Sequence, residues 1–284
     1  MIINKILNII GGFMEALREE LIENYFADEE INDNFDYQNI LSKIAFKLPL
    51  NEQMVLFPLL KIDDNKIILI SDTHFGGINE NYDYLKMVYE FASKYNYNYI
   101  LHGGDLMQGD IQPLLNNSIR LSQQVKHVIS NYPYDENIKN YVLLGNHDHF
   151  IYRNIENTLN ILKERKDINM LGIKYAYINW YNHLISISHH LKKRKCKIDI
   201  PRIETLVKFH GHRHELHIID SHVYLPTLSN DIKQYDGDNN YPGFLTAEII
   251  DDYLNIYSYI FNDKKIVDKG LVLRREVNER VKLK

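Results

Sequence analysis

A single cysteine, Cys196, among 284 residues rules out an internal disulfide and any cysteine-ligated metal cluster. A reducing compartment suits such a chain. Cys196 sits among Arg194, Lys195 and Lys197, a setting that lowers a thiol pKa, and reads as a passive loop thiol. A large excess of charge is missing too. The formal net charge of −5 gives no global reason to expect nucleic-acid binding, which leaves local patches to be judged individually. Long apolar runs are also scarce. The N-terminal stretch MIINKILNIIGGFM is broken by Asn4, Lys5, Asn8 and paired glycines. It is too short to span a bilayer and has no apolar core followed by a small-residue cleavage site. These absences predict a soluble, cytoplasmic protein with no membrane partner. The sequence shows no internal repeat and no low-complexity segment.

The bulk composition is ordinary: 45% hydrophobic and 25% charged residues, enough for a substantial core in one or two domains. Phe13, Met14, Leu17, Leu21, Ile22 and Tyr25 recur at helical spacing. A second amphipathic stretch runs from Tyr37 to Phe46, so the first 60 or so residues predict a helical extension packed against the rest of the chain. From Lys66 the rhythm changes. Ile67–Ile70, Tyr99–Leu101 and Tyr141–Leu144 read as short buried strands, separated by helical spacing through Tyr84–Ala92 and Leu114–Val128. That alternation predicts βαβ units and a parallel sheet, whose ligands gather at the carboxyl ends of the strands. The second half is richer in strands: Tyr175–Trp180, Leu184–Ser188, Val207–His210 and Leu216–Tyr224. A hairpin comes next, Phe244–Ile250 and Tyr253–Phe261, around Asp251-Asp252. The charge alternation from Asp263 onward reads as a helix or a frayed tail.

Five patches come after these strands in order: Asp72-Thr73-His74, Gly104-Asp105, Gly145-Asn146-His147-Asp148, His189-His190 and Gly211-His212-Arg213-His214. Asp72 and His74, at i and i+2, project to one side and can reach a single cation; His212 and His214 repeat that spacing. Two glycines before Asp105 let the backbone pass close to a cluster, and a carboxylate there can bridge two metals. The amide oxygen of Asn146 is a neutral ligand. Any one of these histidines alone reads as an ordinary hydrogen-bonded residue. Five patches at five strand ends read as the mixed oxygen and nitrogen donors of two divalent cations. His102 and His149, close to these patches, are candidates for supporting contacts behind the ligands.

In this order the patches resemble the calcineurin-like metallophosphoesterase superfamily: Asp-x-His, Gly-Asp, Gly-Asn-His-Asp/Glu, His, then Gly-His-x-His, over about Lys66 to Phe261. The resemblance implies an α/β fold, a four-layer αββα sandwich of two mixed sheets flanked by helices. It divides the chain into a helical extension (1–62), a metallophosphoesterase domain (63–262) and a charged tail (263–284). Carried over by position, Asp72, His74, Asp105 and His214 would hold one metal, and Asp105, Asn146, His189 and His212 the second. His190 stands where many members have glycine, so either His189 or His190 could be that ligand. The catalytic set implied is His147 facing the substrate phosphate, with Asp72 or Asp148 as the carboxylate that orients it. The cofactors implied are two divalent ions, manganese first, with iron, zinc, nickel or magnesium as alternatives. A hydroxide activated by the two metals would attack the ester.

Departures from the pattern narrow the substrate. Leu106-Met107-Gln108 carries neither the tyrosine of purple acid phosphatases nor the Asp-Arg-Gly of protein serine/threonine phosphatases, and Leu225–Ser229 replaces the Asn-Pro-Gly-Ser of small phosphodiesterases. Lys192, Lys193 and Arg194 begin a basic run directly after the fourth patch, a candidate contact for a polyanionic substrate such as a nucleic-acid backbone. The expected activity is hydrolysis of a phosphodiester or phosphomonoester, with a lean toward nucleotides or nucleic acids. The contrasting expectation is a scaffold that keeps the fold, loses catalysis and acts through protein partners. The oligomeric state is left open by the sequence.

Overall fold

The computed structural model describes residues 60–109, 120–148, 161, 164–173, 175–189, 205–230, 241–262 and 265–277. The expected helical extension up to residue 59, the alternative ligand His190 and the basic run Lys192, Lys193 and Arg194 lie outside these residues, as do Leu114 and His149.

Two mixed sheets pack face to face. One has six strands: β1 (Leu60–Ile62), β6 (Tyr175–Trp180), β7 (His183–Ser188), β8 (Lys208–His214), β9 (His217–Ile219) and β10 (His222–Pro226), in the order β1-β6-β7-β8-β10-β9. The other has seven: β2 (Lys66–Ile70), β3 (Tyr99–His102), β4 (Lys139–Leu144), β5 (Ile168–Ile173), β11 (Gly243–Ile250), β12 (Tyr253–Asn262) and β13 (Lys265–Glu276). Their order is β13-β12-β11-β2-β3-β4-β5. Strands β2, β3, β4 and β5 are mutually parallel, and β11 joins β2 antiparallel.

The two-residue period of a strand decides which core each side chain joins. Along β2, Ile67 and Leu69 enter the layer between the sheets with Trp180, Ile185, Ile187, Phe209 and Leu225. Ile68 and Ile70 turn the other way, toward two helices, α1 (Tyr82–Tyr95) and α2 (Leu121–Asn131). Each fully buried Ile or Leu of this kind contributes about 1.5–3 kcal/mol. Helix α1 starts where the Asn81 side chain accepts from Tyr84 N–H at 3.2 Å. It stops where Asn96 adopts φ 57° and returns its N–H to Ala92 and Ser93. Its buried face is Leu85, Val88, Tyr89 and Ala92; that of α2 is Gln124, Val125 and Val128. No helix among the described residues is long and apolar enough to cross a membrane.

Three sequence expectations change. Leu60–Ile62, assigned to the extension, instead form β1 and pair with β6. Leu216–Tyr224 is not one strand: Asp220, at φ 53°, turns the chain so that β9 folds back on β10. The described part of the segment expected to be a helix or a frayed tail is instead a strand. Residues 265–276 are an edge strand whose Val272 and Leu273 pack on the core between the sheets.

Candidate metal centre

The parallel strands β2, β3 and β4 point their carboxyl ends at one rim, and the parallel pair β7 and β8 of the other sheet ends at the same rim. The chain leaves four of these strands through Asp72, Asp105, Asn146 and His189, His212 lies near the end of β8 itself, and the side chains converge. Five of the residues concerned, Asp72, His74, Asp105, His212 and His214, hold positive φ values between 48° and 78°. Such values are uncommon for side-chain-bearing residues and cost energy that the surrounding structure must offset.

Backbone bonds lock these loops together. Asp72 N–H donates to Gly104 O at 2.9 Å, and His74 N–H to Asp105 O at 3.1 Å. Gly104 is required twice over: its φ is 108°, and a Cβ there would lie 2.4 Å from His189 Nδ1.

Asp72 Oδ2 accepts from the Ser71 hydroxyl and from His212 N–H. Its Oδ1 faces His214 Nε2 at 3.1 Å, His74 Nε2 at 3.9 Å and His189 Nε2 at 4.0 Å. Asp105 Oδ1 accepts from His147 N–H at 2.8 Å, while Oδ2 lies 3.0 Å from His189 Nε2. Both carboxylates are fully buried, and neither Asp72 Oδ1 nor Asp105 Oδ2 has a well-formed hydrogen bond.

His189 reveals what those oxygens need. Its Nδ1 lies 2.7 Å from the Gly103 carbonyl, which can only accept, so Nδ1 carries the proton. In the neutral ring Nε2 then aims a lone pair at Asp105 Oδ2 and, at 3.1 Å, at Asn146 Oδ1. Three electron-rich atoms converge where only a positive charge can reconcile them. A second ring proton meets the same need. Burial lowers His189, but Asp105 and Asp72 outweigh it and hold the imidazole at about 9. Burial raises Asp72, yet His214, His189 and His74 hold it well below the usual carboxylate range. Asp105 is lowered in the same way, burial being overcome by His189 and His74. His74 is pushed down to about 4, burial outweighing the pull of Asp105 and Asp72. Buried carboxylates, imidazoles and an amide oxygen form a donor set that fits divalent cations. Ligand-type atoms of Asp72, His74 and His214 lie within 4.8 Å of one another, as do those of His74, Asp105 and His147, and those of Asp105, His189 and His212.

The third patch divides differently from expectation. Neither Asp72 nor Asp148 orients His147: the ring Nδ1 donates to the Gln108 carbonyl at 2.8 Å. Asp148 faces away from the chemistry and is fully buried. Its carboxylate accepts from the N–H groups of Leu106 (3.1 Å), Met107 (3.0 Å) and Gly145 (2.9 Å), bracing the loop after β3 against the loop after β4. Burial, with repulsion from Asp105, raises it to about 7 against those three bonds.

His102 supports from behind. The Thr73 hydroxyl gives its proton to Leu106 O, so His102 Nε2–H donates to Thr73 Oγ1 at 2.9 Å. His102 Nδ1 accepts from Gly104 N–H at 3.1 Å. Ser71, Gln108, Gln124 and Thr227, whose hydroxyl donates to Asp72 O, belong to the site without having been singled out by sequence. The roles of Gln108, Gln124 and Thr227 run through backbone groups, which leave no residue-type pattern to find.

A family model for calcineurin-like phosphoesterases matches residues 65–263. No curated protein matches the chain. Among solved structures it is similar to Vacuolar Protein Sorting 29 from Cryptosporidium parvum (15% identity, TM-score 0.46, covering 75% of this chain and 98% of that one). It is also similar to Yfce, a phosphoesterase from E. coli (13%, TM-score 0.43, 75% and 100%). A third is the Pseudomonas putida nuclease MPE (14%, TM-score 0.41, 76% and 96%).

Proposed function

The chain belongs to the calcineurin-like phosphoesterase family, and from that membership we propose that it is a metal-dependent hydrolase of phosphate esters. Asp72, His74, Asp105 and His214 would hold one cation; Asp105, Asn146, His189 and His212 would hold the other. The observation that carries this reading is the convergence of His189 Nε2, Asp105 Oδ2 and Asn146 Oδ1 with the Nδ1 proton committed to Gly103 O. Manganese suits the mixed carboxylate, amide and imidazole donors, with iron, zinc, nickel and magnesium as the other candidates.

When bound, the cations supply Lewis acidity toward the phosphate and neutralise its charge. The chain's own residues do the rest. Asp105 stays fixed between the two half-sites because His147 N–H holds its Oδ1. His147 keeps its Nδ1 proton on Gln108 O, so Nε2 is the atom free to hydrogen-bond a phosphate oxygen or hand a proton to the leaving group. We assign phosphodiesters of nucleotides or nucleic acids as the preferred substrates, on the basic run beginning at Lys192, Lys193 and Arg194. The cytoplasm is the compartment we assign, on the single cysteine. A scaffold would have no need to keep all seven donors, and their presence together favours the enzyme.

Hydrolysis of bis-p-nitrophenyl phosphate with Mn²⁺ tests this reading. Asp105→Asn should abolish turnover, and His147→Ala should cost roughly 10²–10⁴-fold. Equal turnover by wild type and Asp105→Asn would overturn it.

A further inference from the structure

Helix α2 sends one buried polar side chain to the loops of the metal centre. Gln124 is 1% exposed. Its amide makes two bonds to one residue: Gly109 N–H donates to Oε1 at 2.9 Å, and Nε2 donates to the Gly109 carbonyl at 3.0 Å. Its aliphatic stem seats against Gly76, where a Cβ would fall 2.4 Å from Gln124 Cγ. Gln124 thus touches the loop after His74 and the loop after Asp105.

The peptide joining Gln108 to Gly109 links this contact to His147. A trans peptide is planar, with N–H and C=O on opposite sides. At one end of that plane the Gly109 N–H is held by Gln124 Oε1; at the other, the Gln108 carbonyl accepts from His147 Nδ1 at 2.8 Å. Fixing the N–H fixes the direction of the carbonyl. The carbonyl in turn requires a proton on Nδ1 and sets the plane of the ring, which meets the His74 ring edge-on with centroids 4.7 Å apart.

We propose that Gln124 is a positioning residue, which fixes the ring orientation and the Nδ1–H tautomer of His147 through the Gln108–Gly109 peptide. It takes the part that the sequence assigned to a carboxylate. Only the catalytic consequence of this proposal rests on the phosphoesterase reading; the tautomer does not.

Nitrogen NMR of histidine-labelled, Zn²⁺-loaded protein tests it directly, with the His147 signals assigned from a His147→Gln variant. Wild type should show His147 protonated at Nδ1, whereas His102, bonded through Nε2–H to Thr73, serves as the opposite internal reference. Gln124→Met, close in size and without hydrogen bonds, should leave His147 exchanging between tautomers and His102 unchanged. Gln124→Glu keeps the acceptor for Gly109 N–H and should retain the Nδ1–H form. An Nε2–H form of His147 in wild type overturns the proposal without any variant, as does an unchanged signal in Gln124→Met.

In bis-p-nitrophenyl phosphate hydrolysis, Gln124→Met should lower kcat roughly 10- to 100-fold with KM within about twofold. In a His147→Ala background the same change should cost nothing further. An equal loss in both backgrounds would mean a merely structural role and overturn the proposal. A wild type without metal-dependent turnover would refute the phosphoesterase reading alone, because the tautomer measurement still decides the role of Gln124.

Discussion

Replacing Gly145 with alanine should disable the metal centre while leaving the domain folded. The new Cβ would sit 2.2 Å from Asp105 Oδ1, 2.5 Å from Asp105 N and 2.8 Å from His189 Cδ2. Ordinary contact distances begin near ~3.5 Å, so the Asp105 carboxylate has to retreat by about 1 Å. Retreat breaks its 2.8 Å bond from His147 N–H and draws Oδ2 away from His189. A misplacement of about 1 Å at reacting groups costs on the order of 10²-fold in rate. Overpacking itself costs about 1–3 kcal/mol, roughly 2–12 °C in Tm for a domain of this size. Gly270→Ala is the control: its Cβ meets nothing within 4 Å, and its φ of 82° costs about 1–2 kcal/mol in strand β13. Both variants should therefore melt a few degrees below wild type. Only Gly145→Ala should lose metal on dialysis, measured by elemental analysis, and lose turnover with it. Full metal content and full turnover in Gly145→Ala would refute the claim that the loops after β3 and β4 are mutually fitted around Asp105.

Two further outcomes arise from the buried groups around the site. His102 is pushed by burial from an ordinary 6.5 down to about 3, so between those values the unfolded chain takes up a proton that the folded chain refuses. Stability should fall as pH drops through that window, by up to about 1.4 kcal/mol per unit from this residue. Urea unfolding in EDTA at pH 6.5 and 5 should show a loss about 2 kcal/mol smaller in His102→Asn, and equal losses would contradict the assignment. Asp148→Ala strands the N–H groups of Leu106, Met107 and Gly145, so activity and Tm should fall together, with unfolding free energy down by roughly 2–4 kcal/mol. Lost activity at an unchanged Tm would instead point to direct participation in the chemistry.

The sequence made the rim of the site legible because each apolar strand ends abruptly at a polar patch, and parallel pairing then forces those patches onto one edge. Ile67–Ile70 followed by Asp72, and Tyr141–Leu144 followed by Asn146, are cases where the end of an apolar run marked a residue that the structure brings to the rim. The partner of His147 was not legible. A backbone carbonyl holds the ring, and carbonyls are the same in every residue, so the neighbouring carboxylates Asp72 and Asp148 drew the expectation instead. Strand β13 was misread for a related reason. As an edge strand it buries little more than Ile266, Val272 and Leu273, and its exposed charged positions imitate a solvated helix. The split between β9 and β10 turns on Asp220 at φ 53°, a conformation hidden inside an apolar run.

Anomalous diffraction from crystals soaked in Mn²⁺ tests the central claim most directly. Two peaks roughly 3.5–4 Å apart are expected, one among Asp72, His74 and His214, the other among Asn146, His189 and His212, with Asp105 between them. No peak at this rim, or ions bound away from Asp105, would contradict the account.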